Sequence, residues 1–471
     1  MKPFFAFEKA LWSEARNVVL KPNVFTPRDA PVLRRGPPGD PDHHRAIAPS
    51  VCHDGRRFVM WYTGLALDGA SSLKDFRTIR HSQCLATSHD GIRWTKPSLN
   101  INRRKRQGRA NVLFEGHLLS GVDYLPERGL YVIANSFQNG GRLDGSQTAL
   151  SVATSVDGLH GRGLKEAATD LRHFETCVGP KRIGNRYWVI GQTTSDYFKL
   201  ADGSVCGRMA CGYHSRDLAQ WTLHPEPLFR YPVNPVFPRS CLQTHLGFTL
   251  WPRGRIHLGL VGQIWPACFS ENVRFTAGLI YSYDGLNWIE PFEQRPVLGG
   301  PGFAAWHAGV IQGNSFYRQG ELTYHWYSAT DGQGNTWKAH SDIGLATIRH
   351  DGFAWFEGGG RQRGVLTTTP IRLDRQDAML YVNAEARPEH PIRVDVLDAA
   401  GQRLPVPAGR VTADGVRQPV MDLRPCLEHA RHVRFRFGWA PGAAGTRLYG
   451  FATGPASDTR FVESKPDATG G

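Results

Sequence analysis

A heptad recurs along this chain and limits what it can fold into: "SHDGIRW" at Ser88, "SVDGLHG" at Ser155, "SRDLAQW" at Ser215, "SYDGLNW" at Ser282 and "RHDGFAW" at Arg349. Successive copies begin 67, 60, 67 and 67 residues apart, too regular for unrelated turns and too long for helical solenoids or coiled coils. Reading backwards from each copy shows three strand-like runs, and the tryptophan position begins a fourth. In the first unit the runs are "APSVCH", "RRFVMWYTG", "SQCLATS" and "IRWTKP", divided by Asp54-Gly55 and Asp90-Gly91. Four antiparallel strands per unit, repeated radially, are the blades of a propeller. The expected class is all-β, a five-bladed β-propeller.

An aspartate before glycine supports a tight turn, and a tryptophan beside it can cover the edge between neighbouring blades. Asp90, Asp157, Asp217, Asp284 and Asp351 therefore read as scaffold, because a residue needed in every blade serves architecture rather than chemistry. After "EGGGRQRG" the pattern changes. The runs "VLTTTPIRL", "AMLYVNAEA", "IRVDVLDAAGQRLPV", "HVRFRFGW" and "TRLYGFAT" are spaced like the strands of a β-sandwich. The expected division is a propeller over 1–357, a C-terminal β-sandwich over 364–453 and a disordered tail over 454–471.

A chain of 471 residues with 41% hydrophobic content can bury a large core. No stretch approaches the roughly 20 apolar residues of a membrane span. The opening "MKPFFAFEKALW" is interrupted by Glu8 and Lys9, unlike a signal peptide, so the expected location is cytoplasmic with no membrane partner. The 8 cysteines lack paired C-x-x-C spacing and disulfide density, which suits a reducing compartment. The net charge of +14 is most concentrated at Arg103–Arg106 and Arg109, in "NINRRKRQGRAN". With no nucleic-acid motif beside it, that run reads as a solvated loop, and no nucleic-acid partner is expected. Nothing in the sequence names an oligomeric state.

The segments "CLATSHDGIRWTKPSLNI", "GLIYSYDGLNWIEPF", "IGLATIRHDGFAWFEGGGRQRGVLTTTPI", "LYVNAEA", "IRVDVLDAAGQRLPV" and "DGVRQPV" resemble bacterial proteins related to the N-terminal domain of glycosyl hydrolase family 32, the invertase and levanase type, over about residues 31–453. The wider fold is shared with arabinanases, xylosidases, levansucrases and mannoside phosphorylases. The resemblance implies carbohydrate chemistry in a funnel on the propeller axis, with three acids on the innermost strands of the first three blades. Acids are needed there because glycosidic cleavage takes a protonated carboxyl for the leaving oxygen and a carboxylate as nucleophile or base.

By that resemblance Asp123 in "SGVDYLP" stands as the middle acid and Glu175 in "RHFETCVGP" as the general acid. The flanking Phe174 and Cys177 suit a carboxyl kept protonated. Blade one departs from the pattern, with Ala48-Pro49 where arabinanase-like sequences have Asp-Pro. Asp42, in "GDPDHHRAIAPS" beside His43, His44 and Arg45, is the candidate replacement, against the alternative of a solvated entry loop. Thr244, His245, Trp306 and His307 at inner positions of blades four and five, with His43 and His44, are the candidate contacts to sugar hydroxyls, an acidic sugar or phosphate. No close histidine pair has ligand spacing, so neither a metal nor another cofactor is expected.

Three readings follow. The leading one is a glycoside hydrolase or transglycosidase acting on a carbohydrate, with Glu175 as acid, Asp123 as stabiliser or base and Asp42 as the third acid. A glycoside phosphorylase needs only one acid and a cationic pocket. A noncatalytic carbohydrate-binding propeller would have lost its chemistry at Ala48 and His307.

Overall fold

The computed structural model describes residues 1–67, 79–99, 111–115, 117–138, 148–160, 162–168, 174–193, 208–232, 243–265, 274–299, 305–309, 312–331, 339–358 and 360–456. The basic run at Arg103–Arg106 and most of the expected tail lie outside these residues. What is described is nearly all β, with one short α-helix, Arg424–His429, among the described residues.

The strands succeed one another as antiparallel meanders. The first is Arg45–His53, Phe58–Leu67, Ile79–Ser88 and Val112–Glu115. The second is His117–Leu125, Leu130–Gln138, Thr148–Ser155 and Arg162–Ala168, and the third Glu175–Ile183, Arg186–Thr193, Met209–Ser215 and Thr222–Leu223. The fourth runs Gln243–Phe248, Ile256–Trp265, Arg274–Ser282 and Pro296–Leu298. The fifth is Gln312–Gln319, Leu322–Thr330 and Ser341–Arg349, with Thr26–Pro27 pairing on its outer edge.

The heptad makes the same turn in its first four copies. The serine hydroxyl donates to the aspartate Oδ1 at 3.0 Å in Ser88–Asp90 and at 2.9 Å in Ser155–Asp157, Ser215–Asp217 and Ser282–Asp284. That oxygen also accepts the backbone N–H groups two and three residues on, at 2.8 to 2.9 Å. The next residue is left-handed, glycine at Gly91, Gly158 and Gly285 but Leu218 in the third copy. Trp94, Trp221 and Trp288 donate Nε1–H back to the carbonyl of that residue, at 3.0 to 3.2 Å. In the fifth copy Arg349 replaces the serine and Asp351 takes the left-handed conformation, its carboxylate engaging Arg253 and His350.

Two further sheets involve both ends of the chain. Ala354–Gly358, expected as the outer strand of the fifth unit, instead pairs with Val18–Pro22 and Arg447–Gly454. Lys2–Phe5 pairs with Arg447–Gly454, and Trp12–Arg16 with Gly364–Thr368. The pairing therefore departs from the expected division at 357 and 364: three N-terminal strands belong with the C-terminal sheets. The inner faces of the two sheets meet, Phe435 and Phe437 on Phe451 at ring separations of 5.4 Å, with Trp12 edge-on to Phe356 at 5.4 Å. Each ring buried this way contributes about 1.5–3 kcal/mol of hydrophobic stabilisation. One continuous core joins these side chains to Ile256, Leu258 and Tyr281 of the fourth meander and Tyr327 and Ile348 of the fifth.

Candidate active site

The first strands of the meanders neighbour one another in sequence, and the fifth returns to the first. Their relative level can be read from contacts. Ser50 Oγ bonds to both the carbonyl and the N–H of Val122, at 3.2 and 2.9 Å. A Cβ on Gly121 would sit 2.2 Å from the Gly179 nitrogen, so only glycine permits this approach. Asp123 meets Lys181 at 2.8 Å. Contacts that advance together mean that these strands run the same way, and the offsets bring Arg45, His117 and Glu175 to one end.

At that end Glu175, partly exposed, opens its strand. Gln192 lies directly opposite in the ladder and its Nε2 donates to Glu175 Oε2 at 2.6 Å. Gln192 also lines a small cavity with Cys177, Thr244, His245 and Phe248. Thr244 Oγ1 and His245 Nδ1 are buried with no hydrogen-bond partner among the described residues. The His245 ring sits edge-on to Phe275 at 4.6 Å. Burial, reinforced by nearby Arg208, pushes its pKa well below the ordinary histidine value, so the ring is neutral. The structure thus gathers Glu175, Thr244 and His245 around Gln192, a residue that sequence reading missed.

Asp123 is elsewhere. Glu175 pairs with Gln192 and Lys181 with Trp188, four residues along the neighbouring strand, so at about 3.3 Å per residue Asp123 stands roughly 13 Å from that end. Burial raises its carboxyl's pKa and the Lys181 ammonium opposes the rise. Asp42 is 1% exposed and saturated by donors: the Gly36 N–H at 3.0 Å, the Tyr62 hydroxyl at 2.8 Å and Lys96 Nζ at 2.7 Å. Each of these carboxylates is paired with a lysine in its own setting, Asp42 with Lys96 and Asp123 with Lys181.

The remaining candidates are held in packing. His43 Nδ1 faces the Asp40 carbonyl at 2.9 Å while Nε2 accepts the Leu67 N–H at 3.4 Å. His44 is buried, its ring 5.4 Å from that of His340. His307 Nδ1 lies 3.0 Å from the Tyr327 hydroxyl, and burial lowers its pKa against the pull of Asp29. Trp306 donates to the Asp29 carbonyl at 2.9 Å and stacks on Tyr327. Ala48, where an acid was expected, adopts a left-handed φ of 51° and donates its N–H to Ser328 Oγ at 3.2 Å.

No family model matches the chain, and no curated protein does. Solved structures do resemble it. A glycosyl hydrolase from Bacteroides ovatus is 14% identical over 70% of this chain and 94% of its own, with a TM-score of 0.47. A structure from work on the mannoside phosphorylase family containing glycoside hydrolases that target β-1,2-mannosidic linkages in Candida mannan is 15% identical over 70% and 97%, with a TM-score of 0.45. An N-acetylgalactosamine deacetylase from F. plautii, in complex with blood group B trisaccharide, is 15% identical over 71% and 96%, with a TM-score of 0.39. With identities this low, what those proteins act on does not transfer to this chain.

Proposed function

We propose that the protein is a glycosidase-type enzyme whose meanders are the blades of a five-bladed propeller, with the two remaining sheets forming a β-sandwich. The substrate is a carbohydrate taken at the end of the inner strands where Glu175 stands, and Glu175 is the acid–base group. The supporting observation is the Glu175–Gln192 pair at 2.6 Å, beside a cavity lined by Thr244 and His245. A glutamine amide can donate to an ionised carboxylate and, turned over, accept from a protonated carboxyl. One partner therefore orients Glu175 through both halves of a proton-transfer cycle.

Burial lowers the pKa of both His245 and His307, and neutral imidazole and hydroxyl groups suit sugar hydroxyls. Phosphate dependence of turnover decides between hydrolysis and phosphorolysis.

The test is a screen of the purified protein against furanosides, pyranosides and uronic-acid oligosaccharides, with and without phosphate, followed by Glu175→Gln. The substitution keeps the shape and removes the titrating group. Turnover of an unactivated glycoside should fall roughly 10²–10⁴-fold and the pH–rate profile should lose its basic limb, while aryl glycosides with good leaving groups are affected less. Full activity of Glu175→Gln on an unactivated glycoside would falsify the assignment.

A further inference from the structure

Ala48 stands in place of an acid, and Asp42 and Asp123 are tied to lysines, so neither of these carboxylates is open to serve as the base of the reaction just proposed. We propose that His340, oriented by Asp331, is that base and activates the attacking water; the inference rests on the glycosidase reading.

Asp331 and His340 close the ends of two neighbouring strands, Leu322–Thr330 and Ser341–Arg349. The His340 N–H donates to Asp331 Oδ1 at 2.8 Å, the Asp331 N–H donates to the His340 carbonyl at 3.1 Å, and Asp331 Oδ2 lies 3.1 Å from His340 Nδ1. The carboxylate accordingly holds the proton on Nδ1 and presents Nε2 with its lone pair. Nε2 makes no hydrogen bond to any described residue, and the side chain is 45% exposed. An oriented imidazole with an open, solvent-facing nitrogen is the arrangement general-base catalysis requires.

Its place in the fold is the second observation. Ser341, next to His340, pairs in parallel with Arg45, the first residue of the first inner strand. Arg45 stands at the same end as Glu175, as the contacts of Ser50 with Val122 and Asp123 with Lys181 show. The third inner strand contacts the fifth and the first, and His340, beside Arg45, stands at the end of that ring where Glu175 opens its strand. Among the described residues, the charged and titratable groups around His340 are His44, at 5.4 Å ring to ring; Arg45, whose Nε donates to the Ala339 carbonyl at 2.8 Å; Asp331; and Asp342, which is engaged by Arg35 at 3.2 Å.

The step balances with water alone. Nε2 takes a proton from water as its oxygen bonds to the anomeric carbon, the bond to the leaving oxygen breaks, and Glu175 gives its proton to that oxygen. The imidazolium sits against Asp331, and solvent returns the proton to Glu175 and removes it from His340. A single displacement with acid and base on opposite sides inverts the anomeric configuration.

The experiment uses the full chain and the glycoside the screen returns, as a natural linkage and as its 2,4-dinitrophenyl derivative, with melting curves to confirm that each variant folds. His340→Gln should lower turnover of both substrates roughly 10²–10⁴-fold and abolish the acidic limb of the pH–rate profile, whereas Glu175→Gln spares the dinitrophenyl glycoside. Asp331→Asn, a change at a positioning residue, should cost at least about tenfold and move the acidic limb. Azide should restore turnover of His340→Ala on the dinitrophenyl substrate and yield a glycosyl azide. Full activity of folded His340→Gln, or a product of retained configuration, overturns the role of His340 while leaving Glu175 standing. Full activity of Glu175→Gln, or no turnover of any glycoside, removes the reading on which the inference rests.

Discussion

At the residue scale the repeated aspartates divide by what their carboxylates hold. Asp284 accepts from the Ser282 hydroxyl and from the N–H groups of Leu286 and Asn287, all within its own turn. Asp284→Ala should cost about 1–2 kcal/mol in urea unfolding and leave turnover unchanged, since it frees local donors that water can reach. Asp351 is different. It joins Arg253, only 8% exposed, to His350, and removing it takes a charged partner away from a buried guanidinium. Asp351→Asn should therefore be the costlier change, roughly 3–5 kcal/mol. Burial works to raise the Asp351 pKa, but Arg253 and His350 outweigh it and hold the carboxyl well below the usual range. A depressed folded pKa contributes stability above about pH 4, the unfolded carboxylate value, and that contribution drains away as pH falls below it. The stability gap between Asp351→Asn and the parent should narrow on acidification from pH 6 to 3. A gap that does not change with pH would mean the ion pair contributes nothing net.

At the element scale the N-terminal strands are shared structure. Lys2–Phe5, Trp12–Arg16 and Val18–Pro22 each pair with a strand from the C-terminal sheets. Their loss would expose the edges of Arg447–Gly454, Gly364–Thr368 and Ala354–Gly358, together with the rings that Trp12 covers. Thr26–Pro27 continues the same segment onto the outer edge of the fifth meander. A chain lacking the first 22 residues should fail to give the parent's cooperative melt by circular dichroism. Full retention of the melting temperature would show that these strands add no net stability.

At the scale of the whole molecule, the core that runs from the two terminal sheets into the fourth and fifth meanders couples them. One calorimetric transition is expected, and two separated endotherms would contradict the coupling. Buried histidines set the pH response. Burial pushes His81 and His325 down to about 4, and His245 well below its ordinary value. Each must fold in its neutral form, so its full contribution is present above the unfolded value of about 6.5. Below that, stability falls by roughly 1.4 kcal/mol per pH unit per histidine until the folded pKa is reached. The urea midpoint should drop steadily between pH 6.5 and 4.5, and a flat response would show these rings to be protonated in the folded protein.

What the sequence by itself determined is the local part of this structure. The serine and aspartate of the first four heptads satisfy each other and the N–H groups of their own turn, and a tryptophan closes that turn in three of them, so four copies of the turn and the strand order between them could be read without coordinates. The candidate site was legible only as single residues. From the turn at Gly184-Asn185, an unbroken ladder would set Gln192 opposite Cys177; two register shifts in the strand move it to Glu175. The sequence carried no local mark of those bulges. Nor could spacing show that Asp42 would meet Lys96, Asp123 would meet Lys181, or His340 would come beside His44, because such contacts depend on how whole sheets stack. Hydrogen bonds between near neighbours are encoded where they form, whereas register and long-range ion pairs are decided by the packing of many side chains at once.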